Sequence, residues 1–80
     1  MLQALQTGKK VVGIKQLRKA LREGTVQTVF LARNADPKLT EPVEGQCREL
    51  NIPCVWVETM HELGSACGID VGAAAAATLQ

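Results

Sequence analysis

The sequence predicts an α/β fold in which a small four-stranded sheet carries helices on both faces. Three observations carry this expectation. Short apolar runs alternate with amphipathic segments at close intervals, the pattern of a sheet covered by helices. The 80 residues leave room for one domain, residues 1–80, with one small core; size scaling gives a folded surface of about 4,700 Å² against about 12,500 Å² unfolded. Aromatic residues are limited to Phe30 and Trp56, so the core is expected to be aliphatic, with both rings inside it.

A short leading helix is expected first. Val11-Val12 then reads as a brief strand ended by Gly13. Ile14, Leu17, Ala20 and Leu21 recur at helical spacing, and Gly24 stands where a helix-terminating glycine belongs. Val26 to Ala32 is an apolar run rich in strand formers, bounded by Gly24 and by Asn34 to Pro37. The next helix is expected to start near Thr40, with Thr40 as cap and Pro42 in its first turn. Val43, Cys47 and Leu50 form its apolar stripe, and Asn51 and Pro53 end it. Cys54 to Val57 is a second strand run. Thr59-Met60-His61-Glu62 fits a capping box, followed by Leu63, Ala66 and Cys67 as a buried face and Gly68 as terminator. Gly72 to Leu79 is placed as the last strand by position more than by propensity, because alanine is a poor strand former.

The formal net charge of +1 conceals a split. Residues 1–24 hold six cations against Glu23, a net of +5, whereas residues 25–80 carry a net of −4. Lys15, Arg18, Lys19 and Arg22 fall on one side of the predicted helix at spacings of three and four, opposite Ile14, Leu17 and Leu21. A solvated face accounts for such a stripe on an ordinary helix. Here no acid interrupts it before Glu23, and Lys9, Lys10 and Gly13 stand ahead of the helix start, where free N–H groups attract anions. Nucleic-acid phosphate is the obvious anion, and Gln16 can both donate to and accept from base edges. With two aromatics, both expected in the core, a stacking reader of single strands is disfavoured, and no helix-turn-helix pair is evident. A structured RNA read by shape fits better.

Gly13-Ile14-Lys15-Gln16-Leu17-Arg18-Lys19-Ala20, Leu31-Ala32-Arg33-Asn34-Ala35-Asp36-Pro37, Cys47, Asn51-Ile52-Pro53 and Leu63-Gly64-x-Ala66-Cys67-Gly68-Ile69-Asp70 occur in this order. Together they resemble the kink-turn RNA-binding ribosomal protein family over roughly residues 8 to 79, and most of all its small bacterial ribosomal-protein-like branch. The resemblance implies a three-layer α/β/α sandwich with a small four-stranded mixed sheet. It also implies recognition of the kink-turn, a helix–bulge–helix RNA element with tandem sheared G·A pairs. On that resemblance Gly13, Lys15, Gln16 and Lys19 meet the G·A pairs, and Arg33 and Asn34 lie near the bulge. Ile69, Asp70, Val71, Gly72 and Ala73 pack against the bulged nucleotides, and Lys9 and Ile14 complete the expected RNA-contact set. Archaeal members usually place Asn-Glu where this chain has Lys15-Gln16, and an acidic pair where it has Arg33-Asn34; the residues here keep hydrogen-bonding capacity and add positive charge. From the residues alone, Asp36-Pro37 reads equally as turn chemistry, and the Ile69–Ala73 segment equally as entry to the last strand, with Val71 the expected exposed contact.

No constellation supports an enzyme. His61 fits an exposed first-turn position, and Cys47, Cys54 and Cys67 lack the paired spacing of zinc ligands and read as small buried hydrophobes. No catalytic residue, metal or cofactor is therefore expected. Glu41, Glu44, Glu49, Glu58 and Glu62 read as solvating charges that keep their side of the protein off RNA. The start lacks a signal-peptide run, and no stretch approaches the roughly 18 apolar residues of a membrane span. The expectation is a cytoplasmic monomer, away from membranes, whose partner is a kink-turn in a ribosomal or regulatory RNA. The competing reading is a ribosome-associated protein-interaction module with weak RNA affinity.

Overall fold

The computed structural model describes residue 5 and residues 8–80. The elements run β1 (Lys10–Val12), α1 (Ile14–Glu23), β2 (Val26–Ala32), α2 (Pro37–Leu50), β3 (Cys54–Val57), α3 (Met60–Ala66) and β4 (Ala75–Leu79). The expected leading helix falls outside the described residues, except for Leu5, which is buried in the core. The strands form one mixed sheet in the order β1-β4-β2-β3. β2 and β3 are parallel, and β4 runs antiparallel to both β1 and β2.

The period-2 alternation of strand side chains divides the core between the two faces. Val29 and Leu31 of β2 and Ala75 and Ala77 of β4 pack with Leu17, Ala20 and Leu21 of α1 and with Val43 and Cys47 of α2. Phe30 and Ala32 of β2 and Ala76 of β4 pack with Leu63 and Ala66 of α3. The result is the expected α/β/α sandwich, with α1 and α2 on one face and α3 on the other. Alanine's weak strand propensity is overridden by position: β4 is flanked by two strands and buried on both faces, where methyl groups let the helices come close.

Four expectations need correction. α2 starts at Pro37 rather than near Thr40. Asp36 is its cap, accepting from the Lys38 N–H at 2.9 Å, and proline costs nothing at the first helical position because no partner is needed there. Thr40 is instead buried inside the helix, and Pro42 lies in its interior. Leu50, placed on the buried stripe, is 47% exposed; Asn51 turns the chain into the left-handed region at φ 57° immediately after it, and the buried side of α2 ends at Cys47. Trp56 is half-buried rather than enclosed, unlike Phe30. The last strand begins at Ala75, not Gly72, because residues 69–73 are drawn onto α3. Ile69 N–H donates to the Gly64 carbonyl at 3.1 Å, and Ala73 N–H to the Met60 carbonyl at 2.9 Å. The cysteines follow expectation: all three are free, Cys47 and Cys67 are buried and Cys54 is half-buried. Burial is the main cause that raises all three thiol pKa values, with Cys47 pushed up to about 11.

The approach of the 69–73 segment to α3 depends on missing side chains. A Cβ at Gly64 would run into the backbone carbonyl oxygen of Val71, and one at Gly72 would sit 3.0 Å from Met60 Cβ. The obstruction at Gly64 cannot swing aside, since it belongs to the main chain. Gly64→Ala is therefore expected to destabilise the protein by about 1–3 kcal/mol, a fall in Tm of at least about 4 °C. Thermal unfolding followed by circular dichroism measures this, and an unshifted transition would show that the segment yields.

Candidate nucleic-acid interface

The sheet's topology gathers the expected contact segments at one end. Val12 pairs with Ala76 and Leu31 with Ala75, so Gly13, Arg33 and the approach to β4 lie side by side. β3 is parallel to β2, with Ala32 opposite Val57, so Glu58 and the start of α3 lie at the same end. All three helices point their N-termini there, with the positive poles of their peptide dipoles.

The two longer helices treat that end differently. α2 is closed by the Asp36 carboxylate. α1 is preceded by Gly13, which has no side chain to cap it and adopts φ 103°, a value suited to glycine. No acidic residue occupies its first turn. The opening N–H groups of α1 are thus available to an anion, and Lys15, Gln16 and Lys19 stand exposed around them. Gln16 folds back over the cap: its Oε1 lies 3.0 Å from where a Gly13 Cβ would be. The basic stripe continues beyond Lys19, because Ile14, Lys15, Arg18 and Arg22 line a shallow depression along α1.

Arg33 and Asn34 leave the end of β2 in different roles. The Asn34 side chain accepts from the Met60 N–H at 2.8 Å, while the Thr59 hydroxyl accepts from the Glu62 N–H at 3.0 Å. Two of the N–H groups that open α3 are thereby satisfied, the second by the Thr59 half of the expected capping box. Arg33 reaches across to β3. Its Nε lies 3.1 Å from Glu58 Oε1, and its guanidinium carbon 5.9 Å from the centroid of the Trp56 ring. With 57% and 74% of the two side chains exposed, the ion pair contributes at most about 1 kcal/mol to stability.

The third segment presents Val71, 68% exposed, with Ile69, Asp70 and Gly72 also at the surface. Two members of the expected set stand apart. Ala73 is buried, and its N–H is occupied by Met60. Lys9 lies at the opposite end of β1, where its carbonyl accepts from Leu79 N–H at 2.9 Å; the strand between puts it about 13 Å from Gly13. Sequence reading missed Trp56 and Glu58 as neighbours of Arg33. The signal was present only in the register: had β2 and β3 been recognised as parallel partners, Arg33 and Glu58 would have followed as equivalent positions past their ends. Among the described residues, no group of three or more His, Cys, Asp or Glu side chains is arranged to hold a metal, and no helix is long and apolar enough to cross a membrane.

The model of the ribosomal protein L7Ae/L30e/S12e/Gadd45 family matches residues 1–80. The RNA-binding protein YbxF of Geobacillus stearothermophilus is 46% identical over 76 residues, covering 95% of this chain and 93% of that protein. An RNA-binding protein of Caldanaerobacter subterraneus subsp. tengcongensis is 45% identical over 69 residues, covering 86% and 84%. Among solved structures, the Giardia lamblia 15.5kD RNA binding protein superposes with a TM-score of 0.91 at 23% identity, over 99% of this chain and 70% of that one. A protein of unknown function from Bacillus halodurans gives 0.87 at 23% identity, over 99% and 81%. At such identities the two structures speak to the fold.

Asn34 is expected to act as a cap whatever ligand it meets. Asn34→Ala should cost about 1 kcal/mol of stability, whereas Asn34→Asp, which keeps the acceptor at the start of α3, should recover most of it. Denaturant titration of the three proteins compares them directly; equal losses in both variants would remove the Met60 contact as the cause.

Proposed function

The chain belongs to the ribosomal protein L7Ae/L30e/S12e/Gadd45 family, and we propose that it is a non-catalytic RNA-binding protein that recognises and stabilises a kink-turn. One observation carries the reading: the uncapped, acid-free start of α1, ringed by Lys15, Gln16 and Lys19, shares one end of the sheet with Arg33 and the Val71 segment. Relatives named as RNA-binding proteins at 45–46% identity support it. The start of α1 offers N–H donors and lysine charge to the G·A region. Lysine donates to guanine O6 or N7, and Gln16 provides a donor and an acceptor for base edges. Val71 offers an apolar surface to an unstacked base, and Arg33 a planar cation near the bulge. In this reading only a bent RNA meets all these groups at once, so binding draws the RNA population towards the kinked form in proportion to the difference in affinity. The protein acts in this reading as a cytoplasmic monomer on a ribosomal or regulatory RNA.

The deciding experiment is a gel-shift comparison of one RNA with and without its tandem G·A pairs. Clear preference for the intact RNA is expected. Equal binding would turn the reading towards a protein-interaction module, for which exposed Leu39 and Leu50 on α2 are the surface to probe. Lys19→Ala should weaken kink-turn binding and lower the log–log salt slope by roughly one unit. Val71→Asp should reduce RNA affinity while leaving the melting transition in place, as its exposure dictates. A destabilised Val71→Asp protein with intact affinity would return Val71 to a packing role.

A further inference from the structure

We propose that Glu58, with Trp56 behind the guanidinium, turns Arg33 from a general phosphate attractor into a selective contact. The inference rests on the kink-turn reading above. It starts from the parallel register, in which Leu31 faces Trp56 and Ala32 faces Val57, so Arg33 and Glu58 emerge at the same level from neighbouring strands. The Arg33 N–H donates to the Val57 carbonyl at 2.7 Å, which fixes the backbone from which the side chain leaves. The guanidinium then lies near the Trp56 ring, its carbon 5.9 Å from the centroid, and is held at Nε by Glu58 at 3.1 Å. The ion pair is made through Nε, and none of the side-chain hydrogen bonds among the described residues uses the two terminal nitrogens, whose N–H groups are open to an external acceptor.

Both charged side chains are more than half exposed, so the arrangement adds little to folding. Its effect falls on recognition. An unpaired arginine attracts any phosphate, and that attraction carries no information about sequence or shape. A carboxylate at Nε offsets most of the long-range pull and leaves short-range, directional donors. An acceptor gains from them only if it lies where the held fork points, while a misplaced phosphate meets the repulsion of Glu58. Lys15 and Lys19 have no such partner among the described residues; they supply attraction, and Arg33 with Glu58 supplies discrimination. Glu58 and Trp56 are positioning residues, since each acts through Arg33.

The test measures Kd across a salt series for a kink-turn RNA and for a control in which Watson–Crick pairs replace the tandem G·A pairs. The proteins are wild type, Glu58→Gln, Arg33→Ala and the double variant. Glu58→Gln is expected to tighten binding to the control by about threefold to tenfold and to steepen its salt dependence, lowering the preference for the kink-turn. In the Arg33→Ala background the same change should leave the preference unaltered. Trp56→Leu should weaken kink-turn binding only while Arg33 is present, and Trp56→Phe should restore it, with melting curves confirming that both fold. An unchanged preference in Glu58→Gln, or an equal effect with and without Arg33, would overturn the proposal by reducing Glu58 to bulk negative charge. If wild type itself does not distinguish the two RNAs, the kink-turn reading falls. The dependence of the Glu58→Gln effect on Arg33 in control binding then still decides the role of the pair.

Discussion

Three consecutive residues ahead of and within β4 hold the surface together. The Ala73 N–H bonds to the first residue of α3, the Ala74 carbonyl accepts from Ala32 at the end of β2, and the Ala75 carbonyl accepts from Gly13 at the start of α1, each at 2.9 Å. Each segment of the interface hangs from one of these bonds. Small side chains make the arrangement fit: the strand lies between two neighbours with a helical layer on either face, and larger groups at Ala75, Ala76 and Ala77 would force the layers apart. Met60 extends the same anchorage, since its N–H is held by Asn34 and its carbonyl by Ala73.

On this rigid frame, electrostatics are arranged by location rather than by total. The chain is nearly neutral, yet the first acid follows twenty-two residues containing six cations. α1 opens unguarded where α2 opens onto its own carboxylate. Two helix starts at one end of a sheet thus differ in what they can attract, and a single side chain, Asp36 against the hydrogen of Gly13, sets the difference.

Much of this was legible in the residues. The apolar runs marked β2 and β3, Gly24 and the Thr59–Glu62 box marked helix ends, and the acid-free stripe marked the side of α1 that faces outward. Local signals of this kind survive because capping and periodicity act within a few residues. Other features depend on partners far along the chain. Asp36-Pro37 suits a turn and a helix start equally, and only the packing of Thr40 and Val43 decides between them. The seat of Ala73 in the core follows from Gly64 lacking a side chain, which lets the main chain of Val71, seven residues on, pass against α3. Lys9 looked adjacent to Gly13 because sequence distance ignores that an extended strand separates them. Trp56 looked like core because an aromatic in an apolar run usually is, whereas its place on an edge strand leaves one side for Arg33.

The order of the strands also governs when the surface can exist. β4 is made last and sits in the middle, joining Lys10 to Thr78 across nearly the whole chain. Before it is synthesised, β1 and β2 have no common neighbour, and the Gly13 N–H at the start of α1 lacks the Ala75 carbonyl that anchors it. A chain still emerging from the ribosome therefore holds its lysines without holding the geometry that aims them. Folding dominated by such distant pairings is slow, because the chain must close long loops before the contacts form. Assembly of the proposed surface therefore waits on β4, and a chain that stops short of this strand has charge but no shape to read with.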